Sequence, residues 1–111
     1  MNLHNQVALI TGASRGIGRA ILDALAQAGA TVIGTATSDS GAEAISHYIA
    51  EKGYQGSGKK LLVNDNDAIE ALIKDIAAEF APVAILVNNA GITHDNLLMR
   101  MKPEEWDKVI D

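Results

Sequence analysis

Apolar residues follow two alternating patterns along the chain, continuous runs and runs in which they recur every three or four positions. The continuous runs predict strands covered on both faces, as in a parallel sheet. These strands are expected at residues 6–11, 31–35, 60–64 and 83–87. The periodic runs predict amphipathic helices. These helices are expected at residues 16–28, 41–52 and 68–80. Strands and helices therefore alternate.

The alternation predicts an α/β fold of the Rossmann type, because strands joined by right-handed helical crossovers form a doubly wound parallel sheet. The expected strand order is 3-2-1-4, and residues 1–111 are interpreted as one dinucleotide-binding unit. The glycine-rich residues 53–60 are predicted to form a surface loop. Pro103, followed by two glutamates, indicates a further helix start. In this chain, residues 83–87 are expected to form an exposed sheet edge.

Composition narrows the functional classes. The chain has 48% hydrophobic and 21% charged residues, which is typical of a globular protein. A net charge of -5 argues against a nucleic-acid surface. No apolar run approaches the ~20 residues that cross a bilayer, so no membrane partner and a cytoplasmic location are expected. There is no cysteine, and the three histidines lack metal-ligand spacing, so no metal site is predicted.

The strongest chemical signal is T-G-A-S-R-G-I-G at residues 11–18, between the first strand and the first helix. Gly12 permits a tight turn, Gly16 allows the backbone to approach a diphosphate, and Gly18 permits close packing of helix on strand. Free amide hydrogens at the helix start attract the anion. The alternative is an ordinary glycine-rich turn, which the position between strand and helix disfavours.

The end of the second strand bears on the choice of cofactor. NAD sites usually place Asp or Glu there, whereas this chain ends the strand with hydroxyl-bearing residues, Thr35, Thr37 and Ser38. Arg15 lies where a cation could meet a 2'-phosphate, which favours NADP(H). Asp39 argues against this interpretation, and the alternative for Arg15 is a solvated surface charge.

A second motif, N-N-A-G at residues 88–91, follows the fourth strand at the edge where open α/β sheets bind ligands. Asn88 and Asn89 offer donors and acceptors that can tie strands together and support a cofactor. The alternative is a plain turn led by an asparagine side chain.

Together, T-G-A-S-R-G-I-G and I-L-V-N-N-A-G resemble the short-chain dehydrogenase/reductase family. The segments V-I-G-T-A-T-S from Val32 and D-N-L-L-M-R-M-K from Asp95 are similar to its bacterial 3-oxoacyl-acyl-carrier-protein reductases. The resemblance implies an NADPH-dependent enzyme of fatty-acid synthesis that acts on acyl-carrier-protein substrates as a cytoplasmic homotetramer. A reductase of another carbonyl substrate and a catalytically silent nucleotide-binding fragment remain alternatives.

The resemblance also implies a set of cofactor-contacting residues. With the glycine-turn argument, the predicted set is Gly12, Ser14, Arg15, Gly16, Ile17, Gly18, Thr37, Val63, Asn88, Asn89, Ala90 and Gly91. Leu62 departs from the family, which usually has Asp or Asn there to meet the adenine amino group. Only the backbone of Val63 would then keep its role unchanged.

No catalytic residue is predicted within the chain. In the family, a tyrosine donates the proton and a lysine four residues later lowers its pKa, and both would fall beyond Asp111. Tyr48 and Lys52 have that spacing, but they precede N-N-A-G and are interpreted as surface packing. Leu97, Leu98, Met99 and Met101 are interpreted as core or interface.

Overall fold

A computed structural model describes residues 2–14, 16–62 and 65–89, together with the backbone of residues 98–100. The strands are β1 Val7–Ile10, β2 Thr31–Ala36, β3 Gly56–Lys60, β4 Val83–Asn88 and β5 Leu98–Arg100. The helices are α1 Gly16–Gln27, α2 Asp39–Lys52 and α3 Asn66–Glu79. The sheet has the order β3-β2-β1-β4-β5, with its first four strands parallel. This confirms the predicted Rossmann-type fold and the order 3-2-1-4.

The strands read as continuous apolar runs because both faces of the sheet are covered. On one face, Ala8 and Ile10 of β1 lie in a buried cluster with residues of α1 and α2. On the other face, Leu9 lies in a second buried cluster with residues of α3. All four residues of β1 are buried, so this strand is the centre of the core.

The predicted helices are confirmed, but two of them begin earlier than expected. The side chain of Ser38 accepts a hydrogen bond from the Gly41 amide and caps α2. Asp65 caps α3 in the same way through the Ala68 amide. Each cap allows the helix to begin two residues before the predicted start.

The predicted position of β3 is wrong: the strand occupies Gly56–Lys60, within the segment expected to be a loop. Glycines fit a strand here because two neighbouring backbones lie directly against it, that of α2 and that of β2. A Cβ at Gly58 would overlap the backbone oxygen of Ala42, and one at Gly56 would overlap that of Val32. Close backbone packing, which periodicity does not report, therefore places this strand.

The expectation that β4 forms an edge is also wrong. β5 pairs antiparallel with its carboxyl half, in the register Leu86↔Arg100, Val87↔Met99 and Asn88↔Leu98. Leu98 and Met99 of the predicted apolar stripe therefore belong to a strand, while Leu97, Met101 and the helix start at Pro103 lie outside the described residues. In the described part of the chain, no helix has the length and apolar character needed to span a membrane.

Candidate functional site

The two sequence motifs meet at the carboxyl edge of the parallel strands. Residues 11–14 and the start of α1 follow β1, and Asn88 and Asn89 stand at the end of the neighbouring β4. Thr37 follows β2 on the other side of β1. Open α/β sheets bind ligands in the crevice at this edge.

Gly12 turns the chain away from β1 in a left-handed conformation, with φ at 65°. Its amide donates to Thr35 Oγ1 at 3.0 Å, and the Ala13 amide donates to the Thr35 carbonyl at 2.9 Å. Thr35 is only 2% exposed. The turn is therefore held by β2, and Gly12 contributes its shape rather than a free amide.

This arrangement corrects the interpretation of Thr35 as a surface hydroxyl near the cofactor. Thr35 is buried, and its Oγ1 faces the turn, where it accepts the hydrogen bond from the Gly12 amide. Thr35 and Thr37 are two residues apart, so alternation alone would place both on the same face. They differ because Thr35 lies within β2, whereas Thr37 follows its last residue.

Gly18 lies against the Gly12 carbonyl, and Asn89 holds that same carbonyl from β4. The Asn89 side chain donates from Nδ2 to Gly12 O at 3.0 Å, across 77 residues of sequence. A Cβ at Gly18 would overlap Gly12 O and lie 2.7 Å from Asn89 Nδ2. We call this arrangement of Gly12, Gly18 and Asn89 the carbonyl contact. It joins the two motifs into one structure.

Asn88 ties β4 to β1 next to the carbonyl contact. The hydroxyl of Thr11 donates to Asn88 Oδ1 at 3.1 Å, and the Thr11 amide donates to the Val87 carbonyl at 3.0 Å. Thr11 is fully buried. The two asparagines thus have different partners: Asn88 bonds to Thr11 at the end of β1, and Asn89 bonds to Gly12 in the turn.

The start of α1 is open toward solvent. Gly16 has φ at 65°, and no atom lies within 4 Å of where its Cβ would stand. Ser14 is exposed, and Ile17 is 63% exposed. The first turn of α1 contains no acidic residue. Because the first amides of a helix have no intrahelical acceptor and carry its positive dipole end, this opening fits an anionic diphosphate.

The neighbouring start of α2 is occupied by its own polar side chains. Ser38 Oγ accepts from the Gly41 amide at 3.0 Å and lies 3.2 Å from Ser40 Oγ. Ser38 therefore has a capping role that the sequence interpretation missed, although Ser at the end of a strand and before a helical run is itself the signal for a cap. Thr37 precedes it with an exposed side chain.

The remaining predicted contacts are described only in part. Arg15, Val63, Ala90 and Gly91 lie outside the described residues. Leu62, next to Val63, is 66% exposed, so its apolar side chain lies on the surface where β3 ends.

Tyr48 and Lys52 lie away from this edge, on the flank of α2 that meets α1. The Tyr48 hydroxyl donates to Asp23 Oδ1 at 2.7 Å, and the Arg19 guanidinium stands 4.0 Å from the centre of its ring. The hydrogen bond to Asp23 is the main reason that the pKa of Tyr48 is raised. These contacts confirm the predicted packing role for Tyr48, between α1 and α2.

Comparison with known proteins gives a consistent picture. The family model for short chain dehydrogenases matches residues 6–111. The chain is 60% identical over all of its 111 residues to the 3-oxoacyl-[acyl-carrier-protein] reductase FabG of Escherichia coli strain K12, covering 44% of that protein. It is similarly 60% identical to FabG of Vibrio cholerae and 50% identical to FabG of Pseudomonas aeruginosa. The chain thus spans less than half the length of these relatives.

Proposed function

The chain belongs to the short-chain dehydrogenase family, and we propose that it forms the cofactor-binding part of an NADPH-dependent 3-oxoacyl-[acyl-carrier-protein] reductase. The observation that carries the proposal is the carbonyl contact. It fixes the turn after β1 from two sides while the start of α1 stays open. The 50–60% identity to reductases named for this substrate supports the choice of activity.

The proposal assigns the two halves of the cofactor to the two motifs. The diphosphate would lie at the start of α1, against Ser14 and the backbone from Gly16 to Gly18, with Gly12 shaping the turn. The adenosine and the nicotinamide ribose would lie against Val63 and the residues from Asn88 to Gly91. When bound, NADPH supplies the hydride that reduces a ketone.

The preference for NADPH is proposed from the ribose end of the site. Thr37 is exposed directly after β2 and offers a hydroxyl. Arg15 comes one residue before α1 in the sequence, and the proposal assigns its cation to the 2'-phosphate. Titration of the protein with NADPH and NADH, followed by nicotinamide fluorescence, tests this. We expect NADPH to bind at least ~10-fold more tightly, as one charge-assisted contact allows. Equal affinities would contradict the cofactor assignment.

The substrate is proposed to be a 3-oxoacyl group on acyl carrier protein. Two measurements on the natural gene product test this: its intact mass and its NADPH oxidation with acetoacetyl-acyl carrier protein. We expect a mass well above the 11.7 kDa of these 111 residues and turnover of the carrier-bound substrate. A product of 11.7 kDa that binds NADPH without turnover would instead support a silent nucleotide-binding fragment.

The assembly proposed for the natural product is a homotetramer in the cytoplasm, as the resemblance implies. Light scattering during size-exclusion chromatography measures this assembly directly. A monomer at micromolar concentration would contradict it.

A further inference from the structure

Two adjacent lysines end β3, and their side chains leave opposite faces of the sheet because neighbouring strand residues alternate. Lys59 pairs with Glu79 of α3. Lys60 extends to the other face, where its Nζ lies 3.8 Å from Asp39 Oδ2 in the first turn of α2. The two lysines thus have the same charge and differ in which helix they reach.

Lys60 stands beside the segment that the proposed function assigns to the ribose. In the register of the sheet it is opposite Ala36, the last residue of β2, and Thr37 follows directly. Asp39 is two residues beyond Thr37. The pair formed by Lys60 and Asp39 therefore borders the position where a cofactor would carry either a 2'-hydroxyl or a 2'-phosphate.

The charge of Asp39 alone favours the wrong cofactor for an NADPH enzyme. A carboxylate after the second strand accepts hydrogen bonds from a ribose hydroxyl and repels a phosphate dianion. A lysine ammonium within 4 Å offsets that repulsion. The ion pair is long and solvated, with the Asp39 side chain 87% exposed. Lys60 therefore loses little interaction energy when it turns from Asp39 toward an incoming anion.

We propose that Lys60 is a specificity-determining residue that selects the 2'-phosphate, by neutralising Asp39 and by adding a positive charge at the ribose end. This inference rests on the proposed function, because it concerns the same cofactor site.

Isothermal titration of the protein with NADP⁺ and with NAD⁺ tests the proposal without any turnover. For Lys60→Met we expect the Kd for NADP⁺ to rise about 5- to 10-fold, the size of one solvated charge contact at about 4 Å. The Kd for NAD⁺ should change less than about 2-fold, because the 2'-hydroxyl carries no charge. The matched control is Lys59→Met, which removes the same charge from the adjacent residue and should leave the ratio of the two Kd values unchanged.

Two further variants test the sign of the effect. Asp39→Asn should tighten NADP⁺ binding by about 2- to 5-fold, because it removes the repelling charge. Lys60→Arg should keep the wild-type preference, because it keeps the cation.

The outcomes separate this inference from the proposed function. If the wild-type protein binds neither dinucleotide, the proposed function fails. If the wild-type protein prefers NADP⁺ but Lys60→Met shifts the ratio no more than Lys59→Met does, the role of Lys60 is overturned alone. If Lys60→Met does not fold, Lys60→Gln takes its place, and a ratio of the two Kd values equal to that of Lys59→Met overturns the proposal.

Discussion

The start of α1 differs from the starts of α2 and α3 in the side chains that surround the first backbone amides of the helix. Ser38 and Asp65 cap α2 and α3, and each of those helices has an aspartate in its first turn. The first turn of α1 has no acidic residue and begins with a glycine at positive φ. Caps and acidic residues stabilise a helix start, whereas an open start leaves its dipole to an external anion. Two helix starts are thus stabilised by side chains of the chain itself, and the exposed start of α1 is the one to which the proposed function assigns a diphosphate.

The largest effect is expected from a side chain that disrupts the carbonyl contact. Gly18→Ala puts a methyl group onto the Gly12 carbonyl and 2.7 Å from Asn89 Nδ2, both fixed by backbone packing and a hydrogen bond. We expect the free energy of unfolding to fall by about 2–3 kcal/mol, in the range for overpacked sites, and dinucleotide binding to be lost. Urea denaturation and titration with NADPH measure the two effects.

Gly53→Ala is the control for this variant. Unlike Gly18, Gly53 has no atom within 4 Å of its Cβ position, so only its φ of 75° opposes a side chain. We expect a cost of about 1–2 kcal/mol with unchanged dinucleotide binding. Unchanged binding in Gly18→Ala would show that the carbonyl contact does not shape the cofactor turn.

A carboxylate placed in the first turn of α1 should raise the stability of the protein and weaken its binding of NADPH. Ile17 is exposed in the first turn of α1, so Ile17→Asp makes α1 resemble α2. We expect a gain of about 0.3–1 kcal/mol in stability from the helix dipole, and about 10-fold weaker NADPH binding from repulsion of the diphosphate. Ile17→Asn, which lacks the charge, should show neither the gain nor most of the loss in affinity.

Removing a cap should affect stability alone at a helix whose start is not assigned to the cofactor. Asp65→Ala should lower the free energy of unfolding by about 1 kcal/mol without changing NADPH affinity. Ser38→Ala should cost a similar ~1 kcal/mol, and any loss of affinity would reflect its position next to Thr37. Thermal melts with and without NADPH distinguish these effects, and a large affinity loss in Asp65→Ala would contradict the division between the helices.

The smallest effect on stability and binding is expected from a substitution between α1 and α2, away from the carboxyl edge of the parallel strands. Tyr48→Phe removes the hydroxyl that donates to Asp23. Because the folded-state pKa of Tyr48 is raised, the hydrogen bond stabilises the fold at neutral pH and is lost as pH rises through that pKa. The stability difference between wild type and variant should therefore be constant below about pH 10 and shrink above it. A loss of NADPH binding in Tyr48→Phe would contradict the surface role.

Much of the fold follows from the sequence because three of the parallel strands are continuous apolar runs and the three helices have apolar residues at helical spacing. β1 was predicted almost to the residue, since every position in it is apolar and buried. The predicted position of β3 is wrong because Gly58 is required by the backbone of α2 and Gly56 by that of β2, contacts that no local pattern encodes. Helix starts were placed late because Ser38 and Asp65 were not assigned as caps.

The site was predictable in its residue types and less so in its contacts. Gly12 was expected to permit a turn, and its φ of 65° agrees. That its amide donates to Thr35, and its carbonyl accepts from Asn89, depends on neighbours 23 and 77 residues away. Motif spacing shows that these residues belong together, but only tertiary packing shows which atom meets which.

The hydrogen bond from Asn89 to the Gly12 carbonyl also has a temporal consequence. A ribosome releases the glycine motif long before the asparagine motif, since 77 residues separate the two partners. During synthesis, the turn after β1 therefore cannot reach its final conformation until β4 has emerged and docked, because non-local contacts form only after the intervening chain is ordered. Dinucleotide capture should thus report that the central sheet has assembled, and a growing polypeptide should acquire it abruptly rather than by degrees.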